Sequence, residues 1–406
     1  MAIAEIKERS PFTPGQPVPA ELFVGRSEQV LRIRQRGIQQ VAHGKPMAMF
    51  VEGEYGIGKS SIAQYVLKLA EREHHLLGIY ASLGRVRSVD DIGNAVVQGT
   101  LSSSESDPRI ADRFRNWLSK YIKDISFFGV SIDVDALRRD APQVTWNLLA
   151  YLGQTLERAQ GAGYRGVFLV LDEINGITTK PEFARYLKSL IDSNAMAKHP
   201  LPLLLMLCGV PERFHEMIRV HQPVERIFDL ITIEALSERE TEEFFTRALH
   251  AGSLSVEPKA LSVLSYWSAG LPRIMHLLGD AAYWLDKDGV ISEKDVNEAV
   301  LVAAEEIGKK FVDQQVYKAL RSSDYLSILA KIGQHGPKLS FQKKTIQTRL
   351  TAAEQKKFDH FLQRMKKLGV LRAGDERGEY VFNVRMVPVY IWLQSQKKTK
   401  GRSTGR

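Results

Sequence analysis

The chain has 406 residues, 44% hydrophobic and 25% charged, with a formal net charge of +9 at pH 7. That is the make-up of a globular protein of two or three domains with enough chain to bury sizeable cores. It excludes a membrane-spanning helix, since the longest apolar stretch, around Leu203 to Cys208, is far too short.

The opening MAIAEIKERSPF has no apolar signal core, and the single cysteine, Cys208, excludes an internal disulfide and fits a cytoplasmic setting. The charge is uneven. Residues 309–406 hold 22 Lys+Arg and 7 Asp+Glu, leaving 34 and 40 for the rest. A basic last quarter joined to a mildly acidic remainder is the footprint of a nucleic-acid-binding module attached to an engine, or of a solvated basic surface without a partner.

In chain order, residues 1–20 carry Pro11, Pro14, Pro17 and Pro19, which resist helix and predict an extended arm. Phe23, Val24, Gly25 and Arg26 form a turn before a helix bearing Val30, Leu31, Ile33 and Ile38. Met47 to Val51 is a short apolar run of strand type. Gly53, Glu54, Tyr55, Gly56, Ile57, Gly58, Lys59, Ser60 and Ser61 then contain G-x-x-x-x-G-K-S, the phosphate-binding loop pattern. Glycines let the backbone wrap an anion, with successive N–H groups pointing inward. Lys59 would reach the β- and γ-phosphates, and the Ser60 hydroxyl would hold Mg2+. Ile62, Ala63, Val66, Leu67 and Ala70 give the following helix its apolar stripe.

With SPFTPGQPVPAELFVGR, a helix and VEGEYGIGKSS in this order, the chain resembles the AAA+ ATPases of the initiator/STAND branch, more narrowly the prokaryotic archaeal-type ATPase group. The resemblance implies ATP and Mg2+ as ligands, with Phe23, Val24, Gly25 and Arg26 bordering the adenine and ribose.

Residues 76–81 read as a second strand. Residues 87–142 read as an insertion, with an amphipathic piece from Phe114 to Ile122 and a hairpin over Ile125 to Asp133. A helix from Thr145 to Gln160 leads into Gly166-Val-Phe-Leu-Val-Leu-Asp172-Glu173. An all-apolar run suits a buried parallel strand, with its carboxylates at the edge where open α/β sheets bind ligands. Asp172 would hold the Mg2+, and Glu173 would orient and deprotonate the attacking water. Leu201 to Phe214 reads as the next strand and turn. Cys208 and Gly209 stand where many AAA+ proteins carry a polar γ-phosphate sensor, and CGVPERF resembles the turn of transposon target-selection ATPases. The resemblance offers Arg226, before the strand Leu230 to Ile233, as an arginine reaching a neighbouring subunit, with Arg213 as second choice.

Ser237-x-x-Glu240 and Ser292-x-x-Asp295 are capping boxes that open helices. Between them, Gly270-Leu-Pro-Arg273 starts a helix on Pro272. In the resembled family this arginine touches the γ-phosphate from a helical lid.

Residues 322–396 resemble a winged helix. Its third helix, about Ala353 to Lys367, carries the apolar stripe Phe358, Phe361, Leu362, Met365, and Val370 to Asn383 makes the hairpin. Lys343, Lys344, Lys356, Lys357, Arg364, Lys367, Arg372 and Arg377 are candidates for contact with the DNA backbone.

The expected fold class is α/β: a three-layer αβα AAA+ core with a parallel sheet, a helical lid and a C-terminal winged-helix domain. The expected divisions are an arm over 1–20, the core over 21–235, the lid over 236–308, the winged helix over 309–396 and a basic disordered tail over 397–406. The function expected is an ATP-hydrolysing switch that assembles as a homo-oligomer on double-stranded DNA, as in initiators, transposition regulators or mobile elements. The alternative is a STAND-type signalling or defence ATPase whose winged helix is a latch that binds an unknown protein partner.

Overall fold

The structure, a computed structural model, describes residues 7–16, 18, 22–105, 141–317, 322–334 and 336–403. The amphipathic piece expected at Phe114 to Ile122 and the hairpin expected at Ile125 to Asp133 lie outside the described residues. The chain divides into two compact units, residues 17–234 and residues 1–16 with 235–406.

In the first unit, α1 (Ser27–Ile33) continues through a π-helical turn, Arg34–Ile38, into α2 (Gln39–Ala42). Then follow β1 (Met47–Gly53), α3 (Lys59–His74), β2 (Leu76–Ser82), α4 (Asp90–Glu105), α5 (Ala141–Gln160), β3 (Gly166–Asp172), α6 (Pro181–Ala195), β4 (Leu203–Gly209), α7 (Pro211–Val220) and β5 (Asp229–Ile233). The strands form one parallel sheet in the order β2-β3-β4-β1-β5. Helices cover both faces, so β3 and β4 are buried at every position, which is why they read as continuous apolar runs. On one face Ala48, Phe50, Leu203, Leu205 and Leu207 share a core with residues of α4 to α7. On the other, Met49 and Leu204 approach Gly37 so closely that an added Cβ would lie 2.9 Å from the Met49 sulfur. This is the three-layer α/β arrangement expected.

The expected insertion was drawn too wide. Ile92, Val96 and Val97 of α4 are buried with Ile79 and Leu148 in that core. Residues 90–105 therefore belong to a flanking helix. Ile92, Val96 and Val97 stand at helical spacing, one apolar stripe turned to the sheet.

The second unit contains α8 (Glu238–Ala251), β6 (Ser255–Val256), α9 (Pro258–Ser268), α10 (Pro272–Leu285), β7 (Val290–Ile291) and α11 (Glu293–Ile307), which runs on as a π-helical stretch, Gly308–Tyr317. Then come α12 (Ser323–Gly333), β8 (Ser340–Gln342), α13 (Lys343–Gln347), α14 (Ala352–Lys367), β9 (Leu371–Ala373), β10 (Glu379–Phe382) and α15 (Met386–Ser403). The capping boxes at Ser237 and Ser292 are formed, and a third, unforeseen, stands at Thr351 and Glu354. Gly270 is required: its φ is +67°, and a Cβ there would lie 2.0 Å from the Leu236 carbonyl oxygen.

Three antiparallel-paired strands in the order β8-β10-β9 close the C-terminal part, over a core of Ile328, Phe358, Phe361, Leu362, Met365 and Phe382. That part is packed on the helices before it. The Tyr390 ring lies against Gly308, and its hydroxyl donates to Asp313 at 2.7 Å. The Arg385 guanidinium sits 4.5 Å from the Tyr266 ring centre. The expected break at 308/309 thus falls inside a continuous helical run. Helix α15 also extends to Ser403, across most of the tail expected to be disordered. Once a helix is nucleated, each added residue gains a hydrogen bond, and Lys, Gln and Arg extend it readily.

The proline-spaced arm is no loose lead either. Phe12 is buried with its ring centre 6.0 Å from that of Phe244 and 6.2 Å from that of His276. Gly279 makes room, since a Cβ there would lie 2.3 Å from the Phe12 ring. Lys7 pairs with Asp286 at 2.5 Å and donates to the Tyr283 carbonyl at 2.6 Å.

The Thr13 N–H donates to His276 Nδ1 at 3.0 Å, and burial lowers the His276 pKa to about 4. A depressed histidine pKa gives stability that is present above the unfolded value, near 6.5, and lost as pH falls toward the folded one. Between pH about 6.5 and 4 this loss should reach on the order of 3 kcal/mol. Chemical denaturation at pH 7 and pH 4.5 should show it, and His276→Gln should flatten the difference; an equal slope in both proteins would refute the assignment.

Candidate functional site

The loop joining β1 to α3 spans Gly53 to Ser60. Gly56 and Gly58 have φ values of 79° and 100°, conformations that favour glycine. Ile57 is buried and its N–H donates to the Glu54 carbonyl, closing the turn. Tyr55 stands exposed at the tip, at 78%. The Lys59 ammonium folds back to donate to the Gly53 and Glu54 carbonyls, at 2.8 Å each. Burial lowers the Lys59 pKa, and Asp172 is the chief opposing influence. Ser61 is buried and its hydroxyl accepts the Val18 N–H at 3.2 Å.

β1 and β3 are not neighbours, since β4 lies between them. Even so, Ser60 Oγ donates to Asp172 Oδ2 at 2.5 Å. The strand they span ends in Cys208 and Gly209, two small residues. A Cβ on Gly209 would press on Ile174 at 3.0 Å and Phe50 at 3.2 Å. The Cys208 thiol is fully buried; burial, reinforced by Asp172, raises its pKa well above the usual value, against the influence of Lys59.

Asp172 is 2% exposed and Glu173 lies beyond it. Glu173 has φ 58° and ψ 40°, a left-handed conformation rare for a residue with a side chain. Its N–H donates to Asp172 Oδ1 at 2.7 Å, and its Oε2 accepts from Ser82 at 2.8 Å. Tyr80 donates its hydroxyl to Asp172 Oδ2. Burial first, and then the charge of Asp172, raise the Tyr80 pKa. Sequence reasoning missed Tyr80 and Ser82. The signal was there: hydroxyls at alternate positions close an otherwise apolar strand, LLGIYAS.

Phe23 stacks on Tyr65 with ring centres 4.3 Å apart. Val24 and Arg26 are buried, Gly25 and Arg26 both have positive φ, and Arg26 donates to the Ile57 carbonyl at 3.1 Å. The F-V-G-R segment is therefore tied to the loop through Arg26.

Other expected residues fall elsewhere. Arg226 ends a short 3-10 turn, Gln222–Arg226, and is exposed. It borders a cavity of about 360 Å³ with Pro46, Met47, Leu203 and Asp229, where β1, β4 and β5 begin. That is the opposite end of the sheet from Lys59, some ~20 Å away at the rise of a strand. Arg213 is held by Glu216 at 2.8 Å. Arg273 lies half-buried in the first turn of α10, in the other unit. On α14, Lys356, Arg364 and Lys367 are exposed and share one face with His360, within about 80° of arc. Lys344, Arg372 and Arg377 are exposed as well. Lys343 and Lys357 are exposed less freely, being paired with Asp359 and Asp324.

Two oxygen donors, Ser60 Oγ and Asp172 Oδ2, meet beside a half-buried lysine and a glycine cradle, and hard oxygen donors of this number fit Mg2+, which keeps water and phosphate for its remaining ligands. Among the described residues no group of three or more His, Cys, Asp or Glu forms a separate metal cage.

Residues 22–207 match the AAA ATPase domain family. No curated protein matches the chain. Among solved structures, the ORC2 protein of Aeropyrum pernix, in its ADPNP-ADP complexes, is similar at a TM-score of 0.63 and 14% identity, over 98% of this chain and 99% of that one. The Walker-type ATPase paby2304 of Pyrococcus abyssi is similar at a TM-score of 0.54 and 15% identity, over 91% and 96%. At such identities the likeness is one of fold, a five-stranded parallel sheet flanked by helices.

Lys59→Ala should abolish nucleotide binding at the loop while leaving the melting temperature within a few degrees, because the ammonium donates to loop carbonyls. Fluorescent-nucleotide titration reads this; tight binding retained by the variant would refute the loop assignment.

Proposed function

We propose that the protein is an ATP-dependent switch, binding ATP and Mg2+ at the loop of residues 53–61 and hydrolysing ATP. The observation that carries the reading is the meeting of Ser60 and Asp172, 112 residues apart, beside Lys59. Ser60 and Asp172 would hold the metal, whose chemistry is to neutralise phosphate charge. Loop N–H groups and Lys59 would bind the phosphates. Phe23 to Arg26 would border the base. Glu173 would take the proton of the attacking water, with Ser82 holding its carboxylate in place. Arg273 would sense the nucleotide from the lid helix.

Arg226 would act on a neighbouring copy. Its place at the far end of the sheet supports action in trans over action on its own nucleotide. Such a contact requires a head-to-tail assembly, in which the face bearing Arg226 meets the face bearing the next loop. Arg226→Ala should lower turnover by about 10³-fold without weakening ATP binding. The unmutated protein's specific activity should rise with protein concentration; a flat dependence across the assembly range would remove the trans role.

The C-terminal part, residues 309–396, would be a winged helix that contacts double-stranded DNA. The order α12-β8-α13-α14-β9-β10, with the three strands paired antiparallel, supports the fold. The aligned Lys356, Arg364 and Lys367 on α14 support contacts to phosphates. A second reading has its own support. This part is packed on the lid helices through Arg385 on Tyr266 and the Tyr390 ring on Gly308, as a latch would be. In that case the trigger is a protein partner.

Steady-state ATP hydrolysis with and without duplex DNA, using Glu173→Gln as the blank, separates the two. Stimulation of several-fold at moderate salt, lost as salt rises, is the expected result. Unchanged hydrolysis would remove DNA as the trigger and leave the latch.

A further inference from the structure

The carboxylate of Asp172 is held on both oxygens. Oδ1 accepts the Glu173 N–H at 2.7 Å. Oδ2 accepts two hydroxyls, Ser60 from the loop helix and Tyr80 from β2. The two differ in what they leave over. Ser60 can give its proton to Asp172 and still offer a lone pair to a metal, as a hydroxyl has one proton and two lone pairs. Tyr80 stands on the far side of β3, on the edge strand, and its phenol is half-buried.

The register explains how it reaches. Ser82 lies opposite Asp172, and Tyr80 is two residues earlier on the same face. A serine opposite could not span that diagonal, whereas the long phenol can. One face of the end of β2 thus supplies a separate hydroxyl to each of the two carboxylates, Tyr80 to Asp172 and Ser82 to Glu173.

We infer that Tyr80 is a positioning residue for the divalent cation, its hydroxyl fixing the Asp172 carboxylate in register with Ser60 so that the ion meets oxygens already set. This rests on the nucleotide and Mg2+ reading above. A carboxylate that can rotate must be ordered when the ion arrives, and partners that fix such a ligand typically change metal affinity by about 10- to 100-fold. The small end of β4, Cys208 and Gly209, gives Asp172 no such partner from the strand on its other side. The phenol from β2 supplies one.

Tyr80→Phe removes the hydroxyl and keeps the ring, so packing on β2 is preserved. The first readout is Mn2+ binding to the ADP-loaded protein by electron paramagnetic resonance, which needs no turnover. The second is ADP affinity with Mg2+ and with chelator. The third is ATPase activity against Mg2+ concentration. A loss of about 10-fold in Mn2+ and Mg2+ affinity is expected. ADP affinity in chelator and the melting temperature should stay as in the unmutated protein, and kcat should recover at saturating Mg2+. Equal metal affinity in the two proteins overturns the inference, as does a loss equally present in chelator, which would mean a purely structural role. Should the unmutated protein bind no ADP, the nucleotide reading has failed and the inference with it; should it bind ADP but no Mn2+, the metal reading has failed and the inference with it. Tyr80→Trp, also aromatic and with its N–H in a different place, serves if the phenylalanine variant does not fold; undiminished Mn2+ affinity there overturns the inference too.

Discussion

The hydrogen bond from Ser60 to Asp172 is the constraint on which the nucleotide unit depends. It joins the helix after β1 to the end of β3 across an intervening strand. The strand between them, β4, ends in small residues, Cys208 and Gly209, and the space is tight enough that even a methyl group at 209 would press on Ile174 and Phe50. The same requirement governs β1, where a Cβ on Gly53 would lie 2.7 Å from the Ile233 carbonyl oxygen. Small residues at the ends of the central strands are therefore required by the packing directly around them, beside the place where a hydroxyl, a lysine and two carboxylates meet.

That crowding has an electrostatic consequence. Lys59 is drawn out of water, which disfavours its charge, while Asp172 and Glu54 favour it. The carboxylates in turn sit among hydroxyls from β2 and a backbone N–H. Glu173 holds a left-handed backbone at the strand end, a conformation stabilised here by its N–H bond to Asp172. A site built this way is ordered by its own hydrogen bonds, with hydroxyl protons directed at the carboxylates and carbonyls directed at the lysine.

The second unit is organised by apolar plugs. Phe12 enters a ring of Phe244, Phe245 and His276 above Gly279, and Tyr390 covers Gly308. In both places a glycine on a helix admits an aromatic ring from a segment distant in sequence. Ridge-to-ring contact of this closeness ties the arm and the C-terminal part to the same helical body, which is why residues expected as three further divisions fall in one unit with the lid.

From the chain alone came the loop, its strand and helix, the two carboxylates, the capping boxes at Ser237 and Ser292 and the basic face of α14. Each is written in local sequence: glycine spacing, apolar period, a cap residue three before an acid, charges at helical intervals. The α/β class followed for the same reason, since buried parallel strands read as unbroken apolar runs. Tertiary structure decided what depends on which strands become neighbours. It placed Tyr80 and Ser82 beside Asp172 and Glu173 because β2 pairs with β3, a pairing no spacing encodes. It drew α4 into the core, seated the proline-rich arm on the lid helices and carried α15 through the basic tail. It set Arg226 at the opposite end of the sheet from Lys59. Contacts between residues far apart in the chain carry no periodicity, so only the packed sheet and helices determine them.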